Sequence, residues 1–260
     1  MKKYWKVFKQ SIKNAIAYLF AYRSDFTLKL FLGAGWSLTW IAMISVFFSH
    51  TESFNGWNKN DVLLIIFSFQ FLEFVSIFGN NLNSLESDIR HGSFDFVVTK
   101  PIDSQFFATF SRPDFTNLIF FISYEIPILI LLIKNHTQII WTNIPVYLLL
   151  LVCANVIWFS ITTLCVTINF WRQRLDNLQG MAWALMEFGR YPMTIFPKNL
   201  KLLFYSFIPL AFLGFVPASV LLGRTPWTII FPAFSVSFLF LLVSRLVWKR
   251  AVKKYSSASS

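Results

Sequence analysis

The sequence has few charged residues, and the acidic ones are the scarcer kind, with 12 Asp and Glu against 23 Lys and Arg in 260 residues. Charged residues make up 13% of the chain, about half of the ~25% that is usual for a soluble domain. Hydrophobic residues make up 56%, and the mean hydropathy is positive. This composition excludes a water-soluble globular domain and predicts an integral membrane protein.

Cysteine is also scarce, since only Cys153 and Cys165 are present and both fall in one apolar stretch. No disulfide framework is therefore indicated. The chain lacks a G-x-x-x-x-G-K-(S/T) phosphate loop, an H-E-x-x-H motif and a G-x-S-x-G motif. Its three histidines, at positions 50, 91 and 136, are scattered singly. We expect a non-catalytic protein with no bound cofactor and no metal site.

Apolar runs, by contrast, are abundant and long. A helix that crosses a bilayer needs roughly 20 mostly apolar residues. Six windows meet this requirement, at 26–49, 62–82, 115–133, 144–168, 202–222 and 227–247. No repeat or linker divides them. The sequence therefore predicts an all-α polytopic membrane protein with six transmembrane helices in a single domain, 1–260.

The N-terminal region combines charge and apolar residues at helical spacing. Lysines at positions 2, 3, 6, 9 and 13 alternate with Trp5, Phe8, Ile12 and Ile16. This pattern predicts an amphipathic helix over 2–21 that lies on the cytoplasmic membrane surface and contacts lipid. The alternative is an ordinary positively charged flank of the first span.

The distribution of basic residues predicts the orientation. With the N-terminus in the cytoplasm, the inner segments hold sixteen Lys and Arg, whereas the outer loops 50–61 and 134–143 hold one each. The positive-inside rule then places both termini in the cytoplasm. The net charge of +11 does not indicate nucleic-acid binding, because the basic residues flank apolar segments and form no single patch with aromatic residues.

The region 177–224 allows two interpretations, because an odd number of crossings must lie within it. Hydropathy favours 202–222, but Pro209 and Pro217 interrupt that run and suit two short helices that enter the membrane and return. The preceding stretch, 177–196, crosses the membrane only if Glu187 and Arg190 face protein. Arg190, Lys198, Lys201 and Arg224 would then lie outside, against the positive-inside rule.

The longest polar interruption is 83–114, which follows the second window. Apolar residues alternate with charged ones over 85–102, Gly92 permits a turn, and Pro101 ends the preceding structure. The sequence predicts an amphipathic element exposed to the cytoplasm. The alternative is a solvated loop between spans.

This segment resembles the signature between the second and third spans of ABC-type-2 exporter permeases. The resemblance rests on Glu86, Ile89, Arg90, Gly92, Ser93, Phe94, Asp95, Lys100, Pro101 and Ile102. It implies that 84–112 is the coupling region, which rests in a groove of an ATP-binding subunit. The residues expected to couple to the ATPase are Glu86, Ile89, Arg90, Gly92, Phe94, Asp95, Lys100 and Pro101.

A second stretch, from Arg190 to Pro209, resembles the same family after its fifth span. The resemblance favours a fifth span at 177–191 and re-entrant helices within 197–222. The prolines expected to shape this region are Pro192, Pro197, Pro209 and Pro217.

The resemblance also implies partners. ATP and Mg²⁺ would be bound by two copies of a separate cytoplasmic ATPase subunit. Six spans form half of a translocation pathway in this family, so a second permease, identical or paralogous, is expected. The implied location is the cytoplasmic (inner) membrane of a bacterium, and the substrate is not readable from the sequence.

Four polar residues fall inside or beside the apolar windows: Glu73, Glu125, Glu187 and Arg190. A charge buried in lipid needs a partner or water. Glu187 and Arg190 have the spacing of a pair on one helix face. The alternative is that the three glutamates form an ion path, as in a secondary transporter or channel. An intramembrane enzyme is a further alternative, although neither one accounts for the signature at 86–101.

Overall fold

The computed structural model describes residues 2–79, 81–135, 137–171 and 178–255, and these residues form helices with no β-sheet. Within the described residues the α-helices are α1 (Lys2–Ala21), α2 (Arg23–Ser49), α3 (Lys59–Gly79), α4 (Asn81–Arg90), α5 (Asp95–Val98), α6 (Ser104–Phe110), α7 (Thr116–Lys134), α8 (Ile144–Thr167), α9 (Leu178–Met186), α10 (Lys198–Ser206), α11 (Phe215–Leu221) and α12 (Ile230–Val252). Short 3₁₀ turns join several of them. The all-helical fold class is confirmed.

Four segments with described side chains are long and apolar enough to cross a membrane: Ser24–Ser49, Asn117–Lys134, Trp141–Phe170 and Trp227–Val252. In each of them at most 39% of the most apolar window is buried against protein. Apolar helices exposed to this extent need lipid around them. The chain is therefore a multi-pass membrane protein.

The second predicted window coincides with α3, whose 21 residues correspond to about 31 Å of helix. That length matches the roughly 30 Å thickness of the bilayer core. A total of six spans remains a prediction.

The window 202–222 is not one continuous helix. α10 ends at Ser206, a 3₁₀ turn covers Leu210–Phe212, and α11 begins at Phe215. The break has a local cause, since Pro209 lacks the N–H group that a continuing helix would use. Pro217 falls in the first turn of α11, where no intrahelical partner for that N–H is needed.

The stretch predicted as a fifth span is described from residue 178 onward. Its described part consists of α9, with nine residues, and a four-residue 3₁₀ turn, Glu187–Arg190. Asn177, where the predicted span begins, lies outside the described residues.

Two groups of buried apolar side chains hold the helices together. The larger one joins α3, α7, α8 and α11, with Leu63, Ile65 and Ala154 fully buried. The smaller one joins the segment 82–108 to the C-terminal ends of α8 and α12, through residues such as Phe170 and Trp248. The polar segment after α3 is thus packed against α8 and α12 through this smaller group of buried side chains.

The other end of the bundle is closed by the loops after α2 and α7. Arg224 donates to the carbonyl of Gly56 at 2.6 Å, forms an ion pair with the buried Asp61, and stacks over the Trp57 ring at 4.3 Å. The Asn143 side chain donates to the carbonyl of Val220 at 2.7 Å. These contacts tie the end of α11 to both loops.

The crossing of α2 and α7 yields a stability prediction with an internal control. A Cβ atom at Gly33 would lie 2.5 Å from the backbone oxygen of Phe120, whereas one at Gly35 would meet nothing within 4 Å. We expect Gly33→Ala to destabilise the protein by about 1–3 kcal/mol through overpacking. Gly35→Ala should stabilise it by up to about 1 kcal/mol, because alanine favours helix. Unfolding of both variants in detergent would measure the difference, and equal effects would contradict the close α2–α7 contact.

Candidate functional site

The segment from α4 to α6 has a defined backbone, and two residues set its direction. Gly92, just after α4, has φ +75°, a conformation that other residues rarely adopt. It reverses the chain so that the Phe94 N–H donates to the carbonyl of Asp88 at 3.0 Å. Further on, the Asp103 carboxylate accepts from the backbone N–H of Phe106 and caps α6. The segment is folded structure and not a solvated loop.

Phe94 anchors this segment. Its exposed fraction is 0%, and its ring centroid lies 5.0 Å from that of Phe170, 6.3 Å from that of Trp248 and 5.1 Å from that of Tyr255. Ile89 is buried in the same core. Phe94 and Ile89, both predicted as ATPase-coupling residues, therefore fix the segment from inside and present no surface to a partner.

The outward face of the segment is formed by residues next to the anchor. Phe96 is 72% exposed, Val98 is 45% exposed, and Lys100 and Pro101 are exposed as well. Sequence reasoning chose Phe94 and missed Phe96 and Val98. A helical pattern over 94–98 identifies Phe96, because residues 94 and 97 share one face of a helix and residue 96 faces away. It does not identify Val98, which is four residues after Phe94 and falls on the same face as Phe94 in an ideal helix.

The remaining charged residues predicted to couple to the ATPase lie in α4 and α5. Asp95 begins α5 and lies beside Tyr255; burial, together with the negative charge of Asp95, raises the pKa of Tyr255 to about 12. Glu86 and Arg90 belong to α4, and their side chains lie outside the described part of the chain. Tyr255 thus joins the C-terminal end to this segment.

Helix α1 also contacts the segment. The ring centroids of Tyr4 and Phe106 are 4.9 Å apart, those of Phe8 and Phe110 are 6.1 Å apart, and the Tyr4 hydroxyl accepts from the Asp103 N–H at 3.2 Å. The predicted helix over 2–21 is thus present, and its Tyr4 and Phe8 side chains rest on α6.

The residues predicted as intramembrane polar groups do not come together in one path within the described part. Arg190 is buried between Trp40 and Phe69, at 5.0 and 4.7 Å from their ring centroids. One Arg190 amino nitrogen lies 3.6 Å from Glu187 Oε1. The structure therefore brings Glu187 and Arg190 together as a pair.

Glu125 is different. It is 6% exposed, and neither carboxylate oxygen has a hydrogen-bond partner among the described residues. Glu73 is in α3, but its side chain lies outside the described part. Among described residues, no group of three His, Cys, Asp or Glu side chains is placed to hold a metal ion.

The four prolines of the region after α9 each adjoin a helical start. Pro192 precedes the 3₁₀ turn Met193–Ile195, Pro197 precedes α10, and Pro209 precedes the turn Leu210–Phe212. Pro217 lies inside the first turn of α11. They divide the chain between α9 and α12 into short helices.

Comparison with known proteins identifies one family. A sequence model described as "ABC-2 family transporter protein" matches residues 34–259, which include every helix from α3 to α12. No curated protein matches the chain.

Proposed function

We propose that a separate cytoplasmic ATPase drives this protein by pushing on the segment 84–112. The premise is that the chain belongs to the ABC-2 transporter family, which makes it a membrane permease of an ABC transporter. The observation that carries this proposal is the pairing of a buried anchor with an exposed apolar face in one short segment. Phe94 is fully buried, whereas Phe96 and Val98 project outward. An exposed aromatic side chain on a well-anchored segment is typical of a protein–protein interface.

The mechanism follows from the contacts of the segment. Closure of an ATPase dimer around ATP and Mg²⁺ would displace the surface that Phe96 occupies. The buried contacts of Phe94 would transmit that displacement to α8 and α12, and the aromatic contacts between α1 and α6 would transmit it to α1. Tilting of spans one, two and five would then open a path at the interface between two permeases. ATP and Mg²⁺ remain on the partner, and this chain holds half of the pathway.

The proposed architecture is a single domain of six spans with both termini in the cytoplasm of a bacterium, in its inner membrane. α3 supplies the second span, the stretch around α9 the fifth, and α10 and α11 are re-entrant helices on the outer side. The break at Pro209 supports the re-entrant arrangement. The pairs Arg190–Glu187 and Arg224–Asp61 give two of the basic residues on that side a carboxylate partner, which lowers the cost of placing their charges near lipid. The proposed assembly contains two ATPase subunits and two permeases, identical or paralogous, and it exports its substrate.

One observation favours a second candidate function. Glu125 is a buried carboxyl that has no hydrogen-bond partner among the described residues. Burying such a group in a membrane protein costs several kcal/mol and is typical of ion-coupled transporters. A secondary transporter that works without ATP is therefore the competing proposal. Its predicted path is weakened by Glu187, which is 45% exposed at its side chain and paired with Arg190.

Purification in mild detergent from the native membrane separates the two candidates. The ATP-driven permease should retain a cytoplasmic ATP-binding protein in about equal amount, identified by mass spectrometry. A chain that purifies alone and transports in liposomes without ATP would contradict the ABC mechanism and support the secondary transporter.

A further inference from the structure

Arg245, on α12, forms the best-defined polar contact between the last helix and the segment 84–112. Its guanidinium donates to Asp103 Oδ1 at 2.9 Å and to Gln105 Oε1 at 2.7 Å, and its second amino group pairs with Asp103 Oδ2. A guanidinium that engages both oxygens of one carboxylate fixes orientation as well as distance. The last helix is thereby held in one register against the start of α6.

The carboxylate partner is itself immobilised. Asp103 caps α6 by accepting from the Phe106 N–H at 3.0 Å. Although partial burial by itself raises the pKa of Asp103, the hydrogen bonds from Arg245 and from the Phe106 N–H outweigh it, and the pKa lies below its usual value. Asp103 is therefore ionised at neutral pH and available to Arg245.

Trp248 provides a second attachment, one helical turn after Arg245. Its indole Nε1 donates to Ser104 Oγ at 3.1 Å, and its ring is buried at 6.3 Å from the centroid of Phe94. Residues 245, 248 and 251 recur on one face of α12, and Ala251 is fully buried in the same core. One face of the last helix thus contacts both α6 and the anchor of the segment.

We propose that Arg245 is a positioning residue that transmits movement of the segment 84–112 to α12, so that the last span moves with it during each ATP cycle. The inference rests on the proposed ATP-driven function. It extends that function to α12, which has no part in the proposed tilting of spans one, two and five. Arg245 and Asp103 side chains are 33% and 31% exposed, so water screens the pair only in part. The two-point geometry fixes the orientation of α12 relative to the start of α6.

The test uses the purified complex of permease and ATPase in lipid. After both native cysteines are replaced by alanine, spin labels are attached through Phe234→Cys on α12 and Val46→Cys on α2, both exposed positions. The distance between the labels is measured with and without ATP and vanadate. We expect an ATP-dependent distance change in this background, and its loss in Arg245→Gln although ATP hydrolysis continues.

Three further variants make the result specific. The swapped pair Asp103→Arg with Arg245→Asp should recover part of the change, and Arg245→Lys should give an intermediate change, because lysine keeps the charge but not the two-point geometry. Lys249→Gln, an exposed position on the same helix, should behave as the parent.

Three outcomes overturn the inference in distinguishable ways. If the parent and Arg245→Gln show the same ATP-dependent change, the Arg245 link is wrong and ATP-driven function stands. If the parent complex hydrolyses ATP but the distance between its labels does not change, the link alone is wrong. If no ATPase assembles with the chain, the proposed function fails and the link fails with it.

Discussion

Replacing Phe94 with alanine is expected to abolish ATP-driven transport and to destabilise the segment 84–112. The ring is fully buried among Phe170, Trp248 and Tyr255, and removal of such a side chain typically costs about 3–5 kcal/mol. The segment would lose its attachment to α8 and α12, while the larger core remains intact. Limited proteolysis of membrane vesicles should show new cleavage within 84–112 and full-length insertion of the rest.

Phe96→Ala is the matched control, because it also removes a phenyl ring, but from an exposed position two residues after Phe94. It should leave the proteolysis pattern unchanged and weaken ATPase binding by roughly 30-fold, the effect of about 2 kcal/mol that an aromatic interface residue can contribute. Binding is measured with the purified ATPase subunit. If Phe96→Ala and Phe94→Ala had the same effects on both readouts, the division into anchor and contact face would be wrong.

Arg190→Met is expected to lower the free energy of unfolding by about 2–4 kcal/mol. The guanidinium lies against both Trp40 and Phe69 in a buried position, where a desolvated cation–π contact contributes about 2 kcal/mol. The substitution also leaves Glu187 without its cation, and an unpaired charge near lipid is unfavourable. Unfolding of the purified protein in a detergent titration gives the difference.

Two related variants separate these contributions. Glu187→Gln alone should change stability by less than about 1 kcal/mol, because the Glu187 side chain is 45% exposed and partly exposed ion pairs are weak. Arg190→Lys keeps the charge but loses the planar stacking surface, so an intermediate loss is expected. A larger loss for Glu187→Gln than for Arg190→Met would show that the pair, and not the stacking, holds this turn.

The helical fold was predictable because its main signal is composition. Long apolar runs allow few structures in lipid, and α2, α7, α8 and α12 coincide with predicted windows. Hydropathy failed at 202–222, where total apolarity is high but Pro209 prevents a continuous helix. A window average does not detect where a backbone N–H is missing, so proline position has to be considered separately.

The candidate site was predictable in location but not in detail. Gly92 and Pro101 mark the turns of the segment, and those signals are local. The opposite roles of Phe94 and Phe96 depend on which face α8 and α12 cover, and that is a tertiary contact. The Arg245–Asp103 pair joins residues 142 positions apart, and neither residue belongs to a motif. The spacing of residues along the sequence does not indicate such long-range pairs.

Cross-linking from the exposed face of the segment tests the central claim most directly. In a chain with both native cysteines replaced by alanine, a photoactivatable label is attached through Phe96→Cys, or through Phe54→Cys in the loop after α2 as control, since both positions are exposed. We predict that the label at position 96 captures a cytoplasmic ATP-binding subunit in native membranes and that the label at position 54 does not. Capture of no ATP-binding protein from position 96, or its capture from position 54, would contradict ATP-driven coupling through this segment.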